Sequence, residues 1–315
     1  MTATNKTALS IVIPVHNEAA VIDGTLRELA HVLDGIEGHH EVIVVDDGST
    51  DGTWPAICGA ATRDARVRGL RLSRNFGQEA ALCAGLDVAT GGAVITMDGD
   101  LQHPPELIPK MLDAWRGGAE VVDGVKTEQA GASLIERLRS GTFYALLRWL
   151  SRVDLHGASD FKLLDRRVLD AYRRLPERNL FYRGMTTWLG FKTAEIRFSV
   201  PARAEGNTRW TFVALVRLAT TAITSFTSAP LHLITTLGML FLVFAVVLGA
   251  QTLYRKLSGT ALDGFTTIIL LLLIIGSAIM IGLGIIGSYI ARIFEEVKAR
   301  PRYLVAESTG VDDPR

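Results

Sequence analysis

The chain has 315 residues, 48% of them hydrophobic, and its 33 Lys+Arg balance 33 Asp+Glu to a formal net charge of zero. That length builds one or two domains with a proper core, and a neutral chain offers no electrostatic case for nucleic acid as its main partner. The two cysteines, Cys58 and Cys83, form no C-x-x-C pair, so neither a zinc site nor a disulfide framework is indicated.

Up to about Pro201 the chain reads as α/β. Ser10–Val15 is a short β-branched run, too short and too interrupted by Pro14 for a secretory signal, which places the first part of the chain in the cytosol. A helical pattern follows from Ala19 to Leu33. Glu41–Val45 is a second strand, stopped by Asp46-Asp47-Gly48-Ser49. Arg68–Leu72 is a third, with a helix through Glu79–Ala89, and Ala93–Met97 is a fourth, with a helix over Pro105–Gly117. Strands with little polar alternation, separated by helices, predict a mostly parallel sheet covered on both faces. Ligands of such sheets bind beyond the carboxyl ends of the strands. Both acidic clusters, Asp46-Asp47 and Asp98/Asp100, stand at such ends.

Leu231 to about Ala250 and Thr266 to about Tyr289 contain no Asp, Glu, Lys or Arg. Each has the roughly twenty residues that cross a bilayer as a helix. Gly276, Ala278, Gly282, Gly284, Gly287 and Ser288 stripe the second with small residues, which permits close helix packing. Arg217 precedes the first span, and Arg292, Lys298, Arg300 and Arg302 follow the second, so the basic excess puts both flanks on the cytoplasmic side. Leu134–Val153 and Arg209–Phe226 mix arginines with aromatic and aliphatic residues, a composition suited to the headgroup layer or, for the first, equally to a helix on the domain core.

Asp98-Gly99-Asp100 follows a strand and precedes a helix, with Gly99 giving close backbone approach. Oxygen ligands at this place suit Mg²⁺ or Mn²⁺ held between carboxylates and phosphate oxygens. A turn or helix cap uses the same residue types. Asp46 and Asp47 can accept hydrogen bonds from a base or a ribose hydroxyl, with Pro14 to Glu18 beside them. Lys126, Arg137 and Arg139 are candidates for an acceptor phosphate. Asp160, in the small-residue turn Gly157-Ala158-Ser159-Asp160-Phe161, is a candidate base or acceptor-steering group, and Ser159-Asp160 equally suits a helix cap. His16, His103 and His156 read as polar loop residues.

The stretches SIVIPVHNEAAVI, EVIVVDDGSTDGT, RNFGQEAALCAGLDVATG, DGDLQHPPELIP, SDFKLLDRRV, LPERNLFYRGMTTWLGFKT and ITSFTSAPL, leading into two spans, resemble the family 2 membrane-anchored polyprenyl-phosphate glycosyltransferases, most closely the bacterial bactoprenol glucosyltransferases. The resemblance implies a GT-A catalytic domain over residues 1–205, with an interfacial helix at about 134–153. It further implies a juxtamembrane helix at 206–230, two transmembrane helices within 231–290 and a cytoplasmic tail at 291–315. The implied reaction is inverting transfer of a sugar, glucose from UDP-glucose, to undecaprenyl phosphate, with mannose, N-acetylgalactosamine, galactose and aminoarabinose as alternatives. The resemblance places Pro14, Val15, Glu18, Asp46, Asp47, Gly77, Asp98 and Gly99 at the nucleotide sugar, and Asp98, Asp100 and Gln102 at the metal. It makes Asp160 the catalytic aspartate, with Asp100 beside it in the chemistry, and sets Lys126 and Arg209 where relatives carry arginine and lysine toward the acceptor. Relatives also assemble as tetramers. A processive polysaccharide synthase would carry Gln-x-x-Arg-Trp, but Gly206 stands where the glutamine would be.

Overall fold

The computed structural model describes residues 9–100, 102–126, 158–175, 177, 182–198, 229–258 and 265–310. The two amphipathic stretches expected at 134–153 and 209–226, and with them Arg137, Arg139 and Arg209, lie outside these residues. The chain divides into two units, one holding every described strand and the other two long apolar helices.

In the first unit β1 (Leu9–Val15), α1 (Ile22–Asp34), β2 (His40–Asp46), α2 (Thr53–Arg63), β3 (Val67–Leu72), α3 (Gln78–Val88) and β4 (Ala93–Thr96) alternate along the chain. A 3-10 turn, Pro105–Leu107, then runs into α4 (Ile108–Arg116). There follow β5 (Val121–Lys126), β6 (Ala158–Asp165), α5 (Arg166–Arg173), α6 (Tyr182–Trp188) and β7 (Thr193–Phe198). The second unit holds α7 (Ala229–Leu257) and α8 (Phe265–Lys298), after which β8 (Val305–Thr309) returns to the sheet. The strand order is β7-β5-β6-β4-β1-β2-β3-β8. β1 to β4 run parallel, as do β5 and β7, while β6 and β8 run antiparallel to their neighbours.

Alternation along the strands sends successive side chains to opposite faces. Ile11, Ile13, Val42, Val44 and Ile95 share one buried cluster with Leu26 and Leu29 of α1, Ile57 of α2 and Met111 of α4. On the other face α3 lies so close that a Cβ on Gly85 would stand 2.3 Å from Val12 Cγ1 and 3.1 Å from Val45 Cγ2. That proximity explains a glycine in mid-helix, where it otherwise costs about 1 kcal/mol relative to alanine.

Several elements depart from the expected pattern. The first helix starts at Ile22, not Ala19, because Asn17 takes φ +56° and the Glu18 carbonyl accepts the Val21 and Ile22 N–H groups in a preceding turn. α2 was not anticipated, since Pro55 and Gly59 interrupt its pattern. Pro55 is accommodated in the first turn, where its missing N–H has no helical partner to lose. Asp160 lies in strand β6, not in a turn, and the cap in this region is Asp165, which accepts the Arg167 N–H at 2.8 Å at the start of α5. The tail expected after the spans is in part a strand: β8 pairs with β3, and the Ser73 N–H donates to the Leu304 carbonyl at 2.9 Å.

In the second unit α7 and α8 are each long and apolar enough to cross a membrane, and 0% and 6% of their apolar windows are buried. A core helix of a soluble domain would instead be covered. Of the small-residue stripe on α8, Gly282 is the glycine that meets α7, its Cβ position lying 3.3 Å from Ile234 Cγ2.

Gly85→Val puts three carbons against a β-branched neighbour that cannot rotate away. It destabilises the detergent-solubilised protein by roughly 1–3 kcal/mol, read as a lowered melting temperature.

Candidate active site

The site is built at the carboxyl ends of β4, β1 and β2 and along β6. Gly99 is buried, its carbonyl accepts the Thr25 hydroxyl at 2.7 Å, and a Cβ there would lie 2.7 Å from Val15 Cγ1. Packing against β1 by itself requires a glycine at this position. Asp98 is fixed by His103: the ring Nδ1 accepts the Asp98 N–H at 2.9 Å, and Nε2 stands 3.5 Å from Asp98 Oδ2. His103 is wholly buried, stacked 5.0 Å from the Phe161 ring and edge-on to Phe198. It is a core residue, not the polar loop residue expected from the sequence. Burial drives its pKa down to about 4, so the ring is neutral, and because Nδ1 accepts, its proton sits on Nε2.

Asp160 is the hub. Arg183 of α6 grips it with two parallel hydrogen bonds, Nε to Oδ1 at 2.8 Å and Nη2 to Oδ2 at 2.6 Å. Gln78, the first residue of α3, donates to Asp98 Oδ1 at 3.0 Å and to Asp160 Oδ2 at 3.2 Å, tying the two carboxylates together. Thr96 holds the Asp160 carbonyl from β4 and meets the Tyr182 hydroxyl at 2.8 Å. Glu79 accepts the Tyr182 N–H at 3.0 Å, and burial, with the Asp160 charge adding to it, pushes its pKa up to about 7.

Burial first, then the charges of Asp160 and Asp100, push the Asp98 pKa up to about 6. Asp100 Oδ1 accepts the Gln102 N–H at 3.1 Å, and Gln102 Oε1 accepts from Lys126 Nζ at 3.4 Å. Asp98, Asp100, Gln102 and Lys126 therefore form one cluster. No group of three or more His, Cys, Asp or Glu gathers as a metal cage among the described residues. Mutually repelling carboxylates that lack a full cage fit a hard cation that completes its shell with phosphate oxygens and water. These residues fit Mg²⁺ or Mn²⁺ on that ground.

The Asp46–Ser49 loop is a second, separate network. Asp47 is 3% exposed, and its two oxygens accept the Phe76 and Gly77 N–H groups at 2.7 and 2.8 Å. Gly77 has φ +99°, and Gly48 has φ +65° with its Cβ position 2.3 Å from the Arg74 carbonyl carbon, so both positions demand glycine. Asp47 thereby anchors the loop that leads into α3. Asp46, the last residue of β2, is wholly buried: Oδ1 accepts the Ser49 N–H at 2.9 Å, and Oδ2 has no hydrogen-bond partner. Val15 is buried, its carbonyl accepting the Asp47 N–H, while Pro14 and Glu18 are half-buried at the same strand end, Glu18 donating its N–H to Thr53 Oγ1.

The structure thus brings Asp98, Asp100, Gln102, Lys126 and Asp160 together and adds Gln78, Glu79, His103 and Arg183. Gln78 and Arg183 stand inside RNFGQEA and LPERNLFYRG, so a signal for them was present. Glu79 and His103 likewise stand inside RNFGQEA and DGDLQHPPELIP, but their burial became visible only with the packing.

Asp98 is protonated more readily in the folded than in the unfolded chain, whose carboxyl keeps its ordinary 3.8. The folded state then binds the extra proton between about pH 4 and 6, so stability falls as pH rises through that window. Asp98→Asn flattens this part of the profile; melting temperatures at pH 4, 5, 6 and 7 without added metal check it.

A model of the family "Glycosyl transferase family 2" matches residues 10–173. The chain is 36% identical over 97% of its length, and 95% of the relative's, to the uncharacterized glycosyltransferase YkcC of Bacillus subtilis. It is 35% identical to the prophage bactoprenol glucosyl transferase homolog of Escherichia coli, covering 94% of this chain and 98% of that one. The crystal structure of glucosyl-3-phosphoglycerate synthase from Mycobacterium tuberculosis, in complex with Mn²⁺, UDP-glucose and phosphoglyceric acid, covers 69% of this chain and 79% of that one, with 19% identity and a TM-score of 0.47. A parallel β1–β4 core with acidic strand ends, a family match across half the chain and relatedness along nearly all of it lead to one conclusion: the chain belongs to glycosyltransferase family 2.

Proposed function

We propose that the protein transfers glucose from UDP-glucose to a polyprenyl phosphate, undecaprenyl phosphate, at the cytoplasmic membrane face, with inversion at the anomeric carbon. The observation that supports this most is the relation to bactoprenol glucosyl transferases at 34–35% identity over 94–95% of the chain, apolar helices included. The acceptor oxygen attacks the anomeric carbon, the bond to UDP breaks, and the leaving diphosphate keeps the electron pair. Mg²⁺ or Mn²⁺ on Asp98 and Asp100, with Gln102 beside them, supplies neutralisation of that diphosphate charge when bound.

The chain's own residues do the rest. Pro14, Val15, Glu18, Asp46 and Gly77 line the nucleotide end, with Asp47 holding the loop that carries Gly77. Lys126, already 3.4 Å from Gln102, extends positive charge toward the acceptor phosphate, as Arg137, Arg139 and Arg209 do in this reading. Asp160 has both oxygens engaged by Arg183, so in this reading it positions that guanidinium. A phosphate acceptor is ionised at neutral pH and needs no base. α7 and α8 anchor the enzyme where its lipid acceptor resides, with both flanks cytoplasmic.

A transfer assay with purified full-length protein, undecaprenyl phosphate, Mn²⁺ or Mg²⁺ and a panel of radiolabelled UDP- and GDP-sugars tests this. Organic-phase label is expected from UDP-glucose, reduced ~100-fold or more in Asp100→Ala and abolished by chelator. Label from another sugar corrects the donor alone. No lipid label from any sugar, with nucleotide still bound, sinks the acceptor assignment.

A further inference from the structure

The first two residues of α3 reach different parts of the site. Gln78 Nε2 donates to Asp98 Oδ1 at 3.0 Å and to Asp160 Oδ2 at 3.2 Å. Glu79 Oε2 accepts the N–H of Tyr182, the first residue of α6, at 3.0 Å. An N–H in the first turn has no partner within its own helix, and Glu79 accepts this one. Arg183 follows directly and closes on Asp160 through Nε and Nη2. These contacts form a closed circuit. Gln78 bonds Asp160, Asp160 bonds Arg183, the chain leads from Arg183 to Tyr182, Tyr182 bonds Glu79, and Glu79 adjoins Gln78. Other contacts hold α6 independently of Glu79. Tyr182 is wholly buried, its ring edge-on to that of Tyr172 at 5.9 Å. Thr96 donates its hydroxyl to the Asp160 carbonyl, so the Tyr182 hydroxyl donates to Thr96 at 2.8 Å. Burial, with the Asp160 charge adding to it, pushes the Glu79 pKa up to about 7. An ionised carboxylate at this place therefore works against folding.

We infer that Glu79 is a positioning residue of the transfer reaction: it fixes the start of α6 so that Arg183 meets Asp160 in step with Asp98, the carboxylate that Gln78 ties to the same residue. This rests on the reading of the cluster as a sugar-transfer site. The Asp160 side chain is 6% exposed and that of Arg183 34%, so the guanidinium is the member of the pair that reaches the surface. Without Glu79 the start of α6 is released while Tyr182 stays buried, and the guanidinium shifts relative to Asp98. A misplacement on the order of 1 Å costs up to ~10²-fold in rate.

The test is the transfer assay on full-length protein in detergent, with UDP-glucose, undecaprenyl phosphate and Mn²⁺, beside calorimetric binding of UDP. Glu79→Ala is expected to lower kcat roughly tenfold or more, with UDP affinity and the KM for UDP-glucose within about twofold of wild type. Glu79→Asp keeps the charge and loses the reach, so it is expected to fall as Glu79→Ala does. Glu79→Gln keeps a carbonyl oxygen for the Tyr182 N–H and is expected to stay within about threefold of wild type. In an Arg183→Gln background, itself slower, Glu79→Ala is expected to lower kcat by less than about twofold more, because the residue it places is gone. Four results each overturn the inference: a wild-type kcat in Glu79→Ala and Glu79→Asp, a Glu79→Gln as slow as Glu79→Ala, a matching loss of UDP affinity, or a full further loss in the Arg183→Gln background. If Glu79→Ala does not fold, Glu79→Asp against Glu79→Gln decides on the same terms. Wild type that labels lipid with no sugar refutes the proposed function, and the inference falls with it; active wild type with indifferent Glu79 variants refutes the inference alone.

Discussion

The crowding of Asp98, Asp100 and Asp160 beyond the carboxyl end of β4 is the constraint around which the catalytic unit is organised. β4 and β6 pair antiparallel, with Thr96 opposite Lys162. Just beyond the end of that pairing, Asp98 and Asp160 stand close enough for Gln78 to donate to both. Like charges so placed repel, which is one reason the Asp98 pKa rises to about 6. The surrounding groups limit that repulsion without removing it. Gln78 bridges the pair, Arg183 grips Asp160, and His103 fixes the Asp98 backbone. What remains is a negative, partly hydrogen-bonded cluster whose best partner is a cation that also binds phosphate.

Further from that end, the same need for counter-charge is met inside the sheet. Lys162 is 1% exposed, and its Nζ donates to Asp123 Oδ1 at 2.6 Å across the β5–β6 pair. Removing Asp123 would leave the buried Lys162 ammonium uncompensated, a loss of roughly 3–5 kcal/mol. Gly124 beside it is equally constrained, since a Cβ there would lie 2.7 Å from Phe161 Cδ1. β5 and β6 are thus strands whose sequence, with Asp123, Gly124, Asp160 and Lys162, lacks the apolar continuity of the parallel strands.

This contrast explains what could be read from the residues. β1, β2, β3 and β4 are buried on both faces, so each announced itself as an apolar run, and the acidic residues at their ends followed. β5, β6 and β8 carry charges whose partners sit on other strands, far away in sequence, and no local pattern encodes such pairing. The same holds for the site. Asp98, Asp100, Asp46 and Asp160 were legible as acidic punctuation, whereas the neutral buried state of His103 depends on Phe161 and Phe198, which reach it from β6 and β7. The packing roles of Gly99 and Asp47 were not legible for a related reason: their partners, Val15 and the Phe76–Gly77 backbone, lie across the fold.

The sheet edges show why residues beyond the apolar helices matter to the catalytic unit. An unpaired strand edge invites association. β7, at one end of the order, exposes Thr193, Glu195 and Arg197, which discourages a further strand. On the outer side of β3 a Cβ on Gly69 would meet Thr309 of β8 at 2.7 Å, so the glycine lets the next strand pack close. The edge is covered instead by β8, which follows both apolar helices in chain order. The pairing spans more than two hundred residues of chain, Gly69 to Thr309, so it is a long loop closure. The sheet that holds the Asp46–Ser49 loop is therefore completed by a strand that lies beyond both apolar helices in the chain.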